Sequence, residues 1–240
     1  MTLVPERFSV AAAARRLPPP GPGEPPRLCL VDTAANAAAA VHLAPGLLDR
    51  EERERATAFR FDRDRTSYVT AHVALRLLLA AYLGTPPGKV PLTRETCPSC
   101  GGPHGRPAVE GGAPHFSLSH SRELTLLAFA ATPVGVDVEA LPGQEAVDGV
   151  WRSLHPAEVD ELGGLPPAER REAFARAWAR KEAYLKGLGT GLARDPSEDY
   201  VGSGPAPATG PEGWSLSDVA VGDGHRAAVA VRLAQGLSSK

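Results

Sequence analysis

The chain has 240 residues, 42% of them hydrophobic, enough for one large domain or two small ones with a real core. Lys and Arg total 26 against 28 Asp and Glu, and the resulting net charge of −2 excludes a global field aimed at nucleic acid or an anionic membrane. Three cysteines, two of them in Cys97-Pro-Ser-Cys100, make no secreted disulfide framework.

At the start of the chain, the apolar run Phe8–Ala14 is short, mostly alanine and followed by Arg15-Arg16, which is not the layout of a signal peptide. No stretch reaches the roughly 20 apolar residues needed to span a bilayer. The expectation is a soluble cytoplasmic protein with no membrane or nucleic-acid partner. Residues 17–26, LPPPGPGEPP, read as exposed extended chain, because proline denies both helix and central strand. RLCLVDTA then reads as a first strand. LLDREERERATAF, 47–59, reads as a charged helix with Asp49 near its start and a Glu51–Arg55 pair. After RFDRDR, a second helix, TSYVTAHVALRLLLAAYLG, stops at Gly84 and Pro86-Pro87.

Residues 85–115 are rich in Gly, Pro, Cys and His and predict a loop region with one short strand near Ala108–Val109. Two strands follow, HFSLSHS with alternation and ELTLLAFAAT as a continuous apolar run, and then GVDVE. A helical segment around 144–162 leads to Pro166-Pro167, which opens the helix AERREAFARAWARKEAYLKGLG; Gly187 and Gly189 end it. EDYVGSG, GWSLSDVAV and HRAAVAVRL read as closing strands. The long helices end alike, LLAAYLG and KEAYLKGLG. The pattern predicts an α+β fold made of two similar halves, each a small, mostly antiparallel sheet on a long helix. A lead-in of 1–26 would precede halves of 27–125 and 126–240.

Chemistry concentrates at GVDVEA, residues 135–140. Strand alternation sends Val134, Val136 and Val138 one way and Gly135, Asp137 and Glu139 the other. The two carboxyl stems start roughly 7 Å apart, a separation at which burial is costly unless a cation or a proton neutralises them. On the long helix, Trp178, Glu182 and Lys186 recur every four residues and form one stripe. By itself that is a core Trp beside a surface ion pair. If the helix packs on GVDVE, however, Asp137, Glu139 and Glu182 converge as three hard oxygen donors suited to Mg²⁺.

GVDVE followed about forty residues later by WARKEAYLK resembles the paired signature of the 4′-phosphopantetheinyl transferase superfamily, Sfp-type. Gly135, Asp137, Glu139, Trp178, Lys181, Glu182 and Lys186 occupy its fixed positions. FSLSHS, HGRP and the basic RFDRDR before AHVALR resemble further motifs, in the same order. The resemblance implies a pseudo-twofold pair of halves with the active site in the cleft between them. It implies Mg²⁺-dependent transfer (Mn²⁺ as a substitute) of the 4′-phosphopantetheine arm of coenzyme A to a carrier-protein serine, with release of adenosine 3′,5′-bisphosphate. It assigns Asp137, Glu139 and Glu182 to the metal, and the proton of the serine to Glu182, directly or through water. Lys186 then lies near the phosphates, and Lys181 reaches them less directly, pointing about 100° away from Glu182.

For the nucleotide end, the resemblance points to Arg106, Ser119 and His120, with Arg60, Arg63 and Arg65 as a basic patch. The plain alternatives are a solvated loop arginine, a packed core histidine and an ordinary charged helix start. The carrier, from fatty-acid, polyketide or nonribosomal-peptide systems, stays undetermined, and an internally duplicated chain is expected to be a monomer. CPSCGGPH, with His104 four residues after Cys100 and His115 nearby, leaves zinc ligation and a reversible disulfide open. The expectation is free structural cysteines and no zinc, with Cys29 a small core residue. Two rival readings are a metal-dependent phosphohydrolase on the same carboxylates and a small binding module built on the CPSC loop.

Overall fold

The computed structural model describes residues 1–12 and 15–234; Ala13 and Ala14, which end the Phe8–Ala14 run, and the last six residues lie outside them. Two short strands open the chain, β1 (Thr2–Leu3) and β2 (Glu6–Arg7). They are followed by β3 (Arg27–Asp32) and the helices α1 (Thr33–Leu47), α2 (Arg50–Thr57) and α3 (Asp62–Leu83). Next come β4 (Leu92–Arg94), β5 (Pro107–Val109), β6 (His115–Ser121), β7 (Leu124–Ala130) and β8 (Val134–Ala140). The chain closes with α4 (Gln144–Val150), α5 (Pro156–Gly163), α6 (Pro167–Leu188), β9 (Trp214–Val219) and β10 (His225–Arg232).

Two four-stranded mixed sheets form, in the orders β2-β3-β7-β6 and β1-β9-β10-β8. Connectivity repeats. β3 leads through α1, α2 and α3 to the β6–β7 hairpin, and β8 leads through α4, α5 and α6 to the β9–β10 hairpin. In each case the first strand pairs antiparallel with the third, and the third antiparallel with the second. Both long helices have 22 residues and end on a left-handed glycine, Gly84 at φ 65° and Gly189 at φ 85°, a conformation that a Cβ disfavours.

The layers follow from strand alternation. Cys29, Val31, Leu127 and Phe129 face α3, while Leu28, Leu30, Leu126 and Ala128 face the other sheet and meet Val134, Val136, Val138 and Val229. On the far side, Ala228 and Ala230 of β10 pack with Ala183 and Leu185 of α6. The order is therefore α3, sheet, sheet, α6. At about 25 cal/mol per Å² of apolar area removed from water, such doubly covered sheets supply most of the folding drive. α3 is long and apolar enough to cross a membrane by length and composition, but most of it is buried in this core.

Three sequence expectations need correction. Residues 33–47 form a helix, where Thr33 and Ala34 were expected to end a strand and 35–46 carried no expectation: Asp32 caps it by accepting from the Ala35 N–H, and the alanine run favours helix without giving a clear periodicity. EDYVGSG is not a strand; the backbone N–H groups of Val201 and Gly202 donate to Glu158 and that of Ser203 to Glu161, in place of a ladder. On α2 the i,i+4 ion pair is Arg50–Glu54. Residues 17–26 are neither helix nor strand, whereas residues ahead of them give one edge strand to each sheet.

Candidate active site

The two sheets meet edge to edge at β6 and β8, and serine hydroxyls join them. Ser117 Oγ accepts from the Val136 N–H at 3.0 Å and Ser121 Oγ from the Ala140 N–H at 3.1 Å, so the strands run parallel. Between these two, Ser119 donates to Asp137 Oδ1 at 2.8 Å. Residues 117, 119 and 121 share one face of β6, and their alternation is the signal in FSLSHS that the phosphate reading left unused. Ser119 is buried in this seam.

α6 lies against β8 at unusually short range. A Cβ on Gly135 would fall 2.0 Å from Ala183 O and 2.3 Å from Gly187 N. The glycine therefore admits the helix backbone. This approach brings the Glu182–Lys186 stripe over the acidic face of β8. Leu118, Ser119, His120, Asp137, Glu139, Trp178, Glu182 and Lys186 line one cavity of about 360 Å³. Leu118 and Trp178 were not foreseen as lining residues, although Trp178 stands on the predicted stripe. A larger cavity, about 700 Å³, lies beside the first half of α6, away from all of these groups.

Asp137 is 1% exposed, with Oδ1 held by Lys186 Nζ at 2.6 Å as well as by Ser119. Its Oδ2 is buried and has no hydrogen-bond partner. Burial first, and then the Asp137 charge, pushes the Glu139 carboxyl up to about 7, against the pull of Lys186 and the Ser121 hydroxyl. The Glu182 carboxyl is also raised, again by burial, with Lys186 opposing and Asp137 reinforcing. The site is a short-range cluster of anions with one ammonium among them. Asp137, Glu139 and Glu182 do not draw together to ligand spacing; among the described residues, three ligand atoms all lie within 4.8 Å of one another at Cys97, Cys100 and His104.

His120 stands exposed at the rim, its imidazole held below the ordinary value by loss of solvation on its packed side and then by His72 and Lys186. It is not the packed core histidine that alternation allowed. The charge of Asp64, in the first turn of α3, opposes that shift. Arg60, Arg63 and Arg65 do not line the cavity: Arg60 and Arg63 stack over Phe61, and Arg63 and Arg65 pair with Asp64 and Asp62.

Two predicted phosphate ligands face elsewhere. Lys181, 2% exposed, pairs with the fully buried Glu158 at 2.7 Å and donates to Pro196 O and Asp199 O. Its position a quarter-turn from Glu182 turns it into the protein, where it ties α6 to α5 and to the 196–199 loop. Arg106 donates to Gly187 O at 2.6 Å and pairs with Glu95 at 2.7 Å, so its fork is committed to the end of α6.

Comparison with known proteins identifies the family. Residues 133–211, which hold β8 and α6, match the 4′-phosphopantetheinyl transferase superfamily. The 4′-phosphopantetheinyl transferase HetI of Nostoc sp. is 36% identical over 194 residues, covering 77% of this chain and 78% of the relative. A putative 4′-phosphopantetheinyl transferase of Synechocystis sp. is 32% identical over 158 residues, 62% of this chain and 61% of the relative. The 4′-phosphopantetheinyl transferase of Bacillus subtilis is 26% identical over 144 residues, 59% of this chain and 60% of the relative. The fold and the match together define an α+β enzyme of the transferase class. The chain belongs to the 4′-phosphopantetheinyl transferase superfamily. This sets aside the phosphohydrolase and CPSC-module readings.

Proposed function

We propose that the chain is an Sfp-type member that moves the 4′-phosphopantetheine arm of coenzyme A to a serine of an apo acyl or peptidyl carrier protein, with Mg²⁺, releasing adenosine 3′,5′-bisphosphate. The observation that carries this reading is the unpartnered, buried Asp137 Oδ2 in a cavity shared with Glu139 and Glu182. An orphaned carboxylate oxygen at that depth is costly, and hard anionic oxygens are the donor set of Mg²⁺, so the donor chemistry of these residues suits the ion, which would draw the three carboxylates closer than they stand in its absence. Asp137, Glu139 and Glu182 would hold it. When bound, the ion neutralises charge on the pyrophosphate oxygens.

The remaining work falls to side chains. Glu182, its proton affinity raised by burial, takes the proton of the incoming serine hydroxyl. Lys186, one helical turn on, meets the leaving phosphate oxygen with its ammonium. Trp178 and Leu118 provide apolar wall that keeps water from competing as acceptor. His120 and the arginines at the start of α3, 60, 63 and 65, receive the 3′-phosphate end.

The repeated connectivity supports a pseudo-twofold duplication with halves of 27–125 and 126–240 and the site in the cleft between them. A monomer acting in the cytoplasm is the form proposed. The test is incubation with coenzyme A, Mg²⁺ and a panel of apo carriers from fatty-acid, polyketide and nonribosomal-peptide systems, read by the mass of the carrier. Addition of one phosphopantetheine arm, abolished by Asp137→Ala or Glu182→Ala, is the expected result. Release of phosphopantetheine into water with no carrier modified would overturn it.

A further inference from the structure

The hairpin tip between β4 and β5 carries chemistry that the transfer reaction does not use. The β4–β5 ladder continues past its last pair, with Glu95 N–H donating to Arg106 O and Gly105 N–H donating back to Glu95 O. Beyond this the chain folds into a tight knuckle: Gly101 N–H donates to Cys97 O, Cys97 N–H donates to Gly102 O, and Gly101 takes φ 73°. A left-handed glycine directly after C-x₂-C turns both thiols inward.

Cys97 Sγ, Cys100 Sγ and one ring nitrogen of His104 all lie within 4.8 Å of one another. Cys100 Sγ is 2.9 Å from His104 Nε2 and accepts from the Gly102 N–H at 3.4 Å. Gly102 is needed for this approach, since a Cβ there would stand 2.9 Å from the His104 ring and 3.3 Å from Cys100 Sγ. His115 is not part of the group.

From this convergence we propose that Cys97, Cys100 and His104 form a binding site for a soft divalent cation, Zn²⁺, with its fourth position open to solvent. Two sulfurs and an imidazole select Zn²⁺ over Mg²⁺, which takes oxygen ligands. Zn–S near 2.3 Å and Zn–N near 2.0 Å in a tetrahedron place sulfur and nitrogen about 3.6 Å apart, so the Cys100–His104 contact widens by well under an ångström on binding. Three ligands fall short of the four of a structural zinc finger. The ion closes the tip whose far end is Arg106, and Arg106 holds Gly187 O at the end of α6. The site thus sits behind the active-site helix as a brace, separate from the acidic cavity.

The test uses the full chain, purified under reductant without chelator, with metal content measured by elemental analysis and a Co²⁺-substituted sample examined by absorption. The expected result is one Zn²⁺ per chain and, with Co²⁺, a sulfur-to-metal charge-transfer band together with tetrahedral d–d bands. Cys100→Ser and His104→Ala, both exposed positions that threaten the fold little, each reduce Zn²⁺ content and alter the Co²⁺ spectrum; Asp137→Ala leaves both unchanged. Absence of a thiolate charge-transfer band, a Zn²⁺ content unaltered in Cys100→Ser, or a Cys97–Cys100 disulfide that persists under reductant would each overturn the assignment.

Discussion

Arg76 and Lys181 occupy corresponding places in the two halves: each is the fifteenth residue of a 22-residue helix, buried, and closed by the glutamate of a capping box. Glu52 caps α2 through Asp49 and receives Arg76 Nε at 2.6 Å; Glu158 caps α5 through His155 and receives Lys181 Nζ at 2.7 Å. Each clamp fixes a short helix to the long one behind it. The first lysine of the WARKEAYLK motif, Lys181, is therefore explained by stability. Lys181→Met would leave Glu158 as a fully buried carboxylate without its cation, at a cost of about 3–5 kcal/mol. A urea midpoint lowered accordingly is expected, with KM for coenzyme A unchanged in the protein that remains folded. A raised KM at wild-type stability would return Lys181 to the phosphates.

Much of this was legible in the sequence, and the reasons are local. GVDVE and WARKEAYLK gave β8 and α6 because their periods of two and near four are unambiguous, and the acidic face and the stripe followed from those periods. Lys181 and Arg106 were misread because a motif position says which residue type is present but not which way it turns. Glu158, which claims Lys181, lies 23 residues earlier in an unremarkable helix start, and Gly187 O, which claims Arg106, is backbone and carries no side-chain signal. The helix at 33–47 escaped because alanine supplies propensity without periodicity.

Gly135→Ala tests the helix–strand approach. The added methyl meets the α6 backbone at Ala183 O and Gly187 N, and backbone cannot rotate away as a side chain can. α6 must retreat from β8, with a loss of about 3 kcal/mol or more and separation of Glu182 and Lys186 from Asp137. Gly149→Ala in α4, where a Cβ meets nothing within 4 Å, is the control and should be neutral or slightly stabilising. Equal denaturation midpoints for the two variants would contradict the close packing.

Arg106→Ala separates a bracing role from a phosphate contact. Removing the guanidinium leaves Gly187 O without its charged donor and costs about 1–3 kcal/mol of stability. Because the fork is engaged with protein, affinity should fall by the same factor for coenzyme A and for 3′-dephospho-coenzyme A. Calorimetric titration with both ligands is the measurement, and a loss confined to coenzyme A would restore the direct contact with the 3′-phosphate.

The acidic cavity gives the metal-free protein a pH dependence of definite sign. Glu139 has its carboxyl pushed up to about 7 in the folded state against an ordinary 4.5. Between those values the folded chain keeps a proton that the unfolded chain has released, so stability is greatest below about 4.5 and declines as pH rises, levelling off above about 7. Glu182, raised for the same reason, acts in the same direction. Thermal denaturation across that range in the presence of a chelator should show the decline, and Glu139→Gln should flatten it, since an amide bears no charge to penalise. Saturating Mg²⁺ should remove it as well: a ligand that binds the ionised carboxylates only in the folded chain stabilises that form, and its binding releases the retained proton. A wild-type slope that survives both the substitution and the metal would mean that Glu139 is not in the anionic cluster.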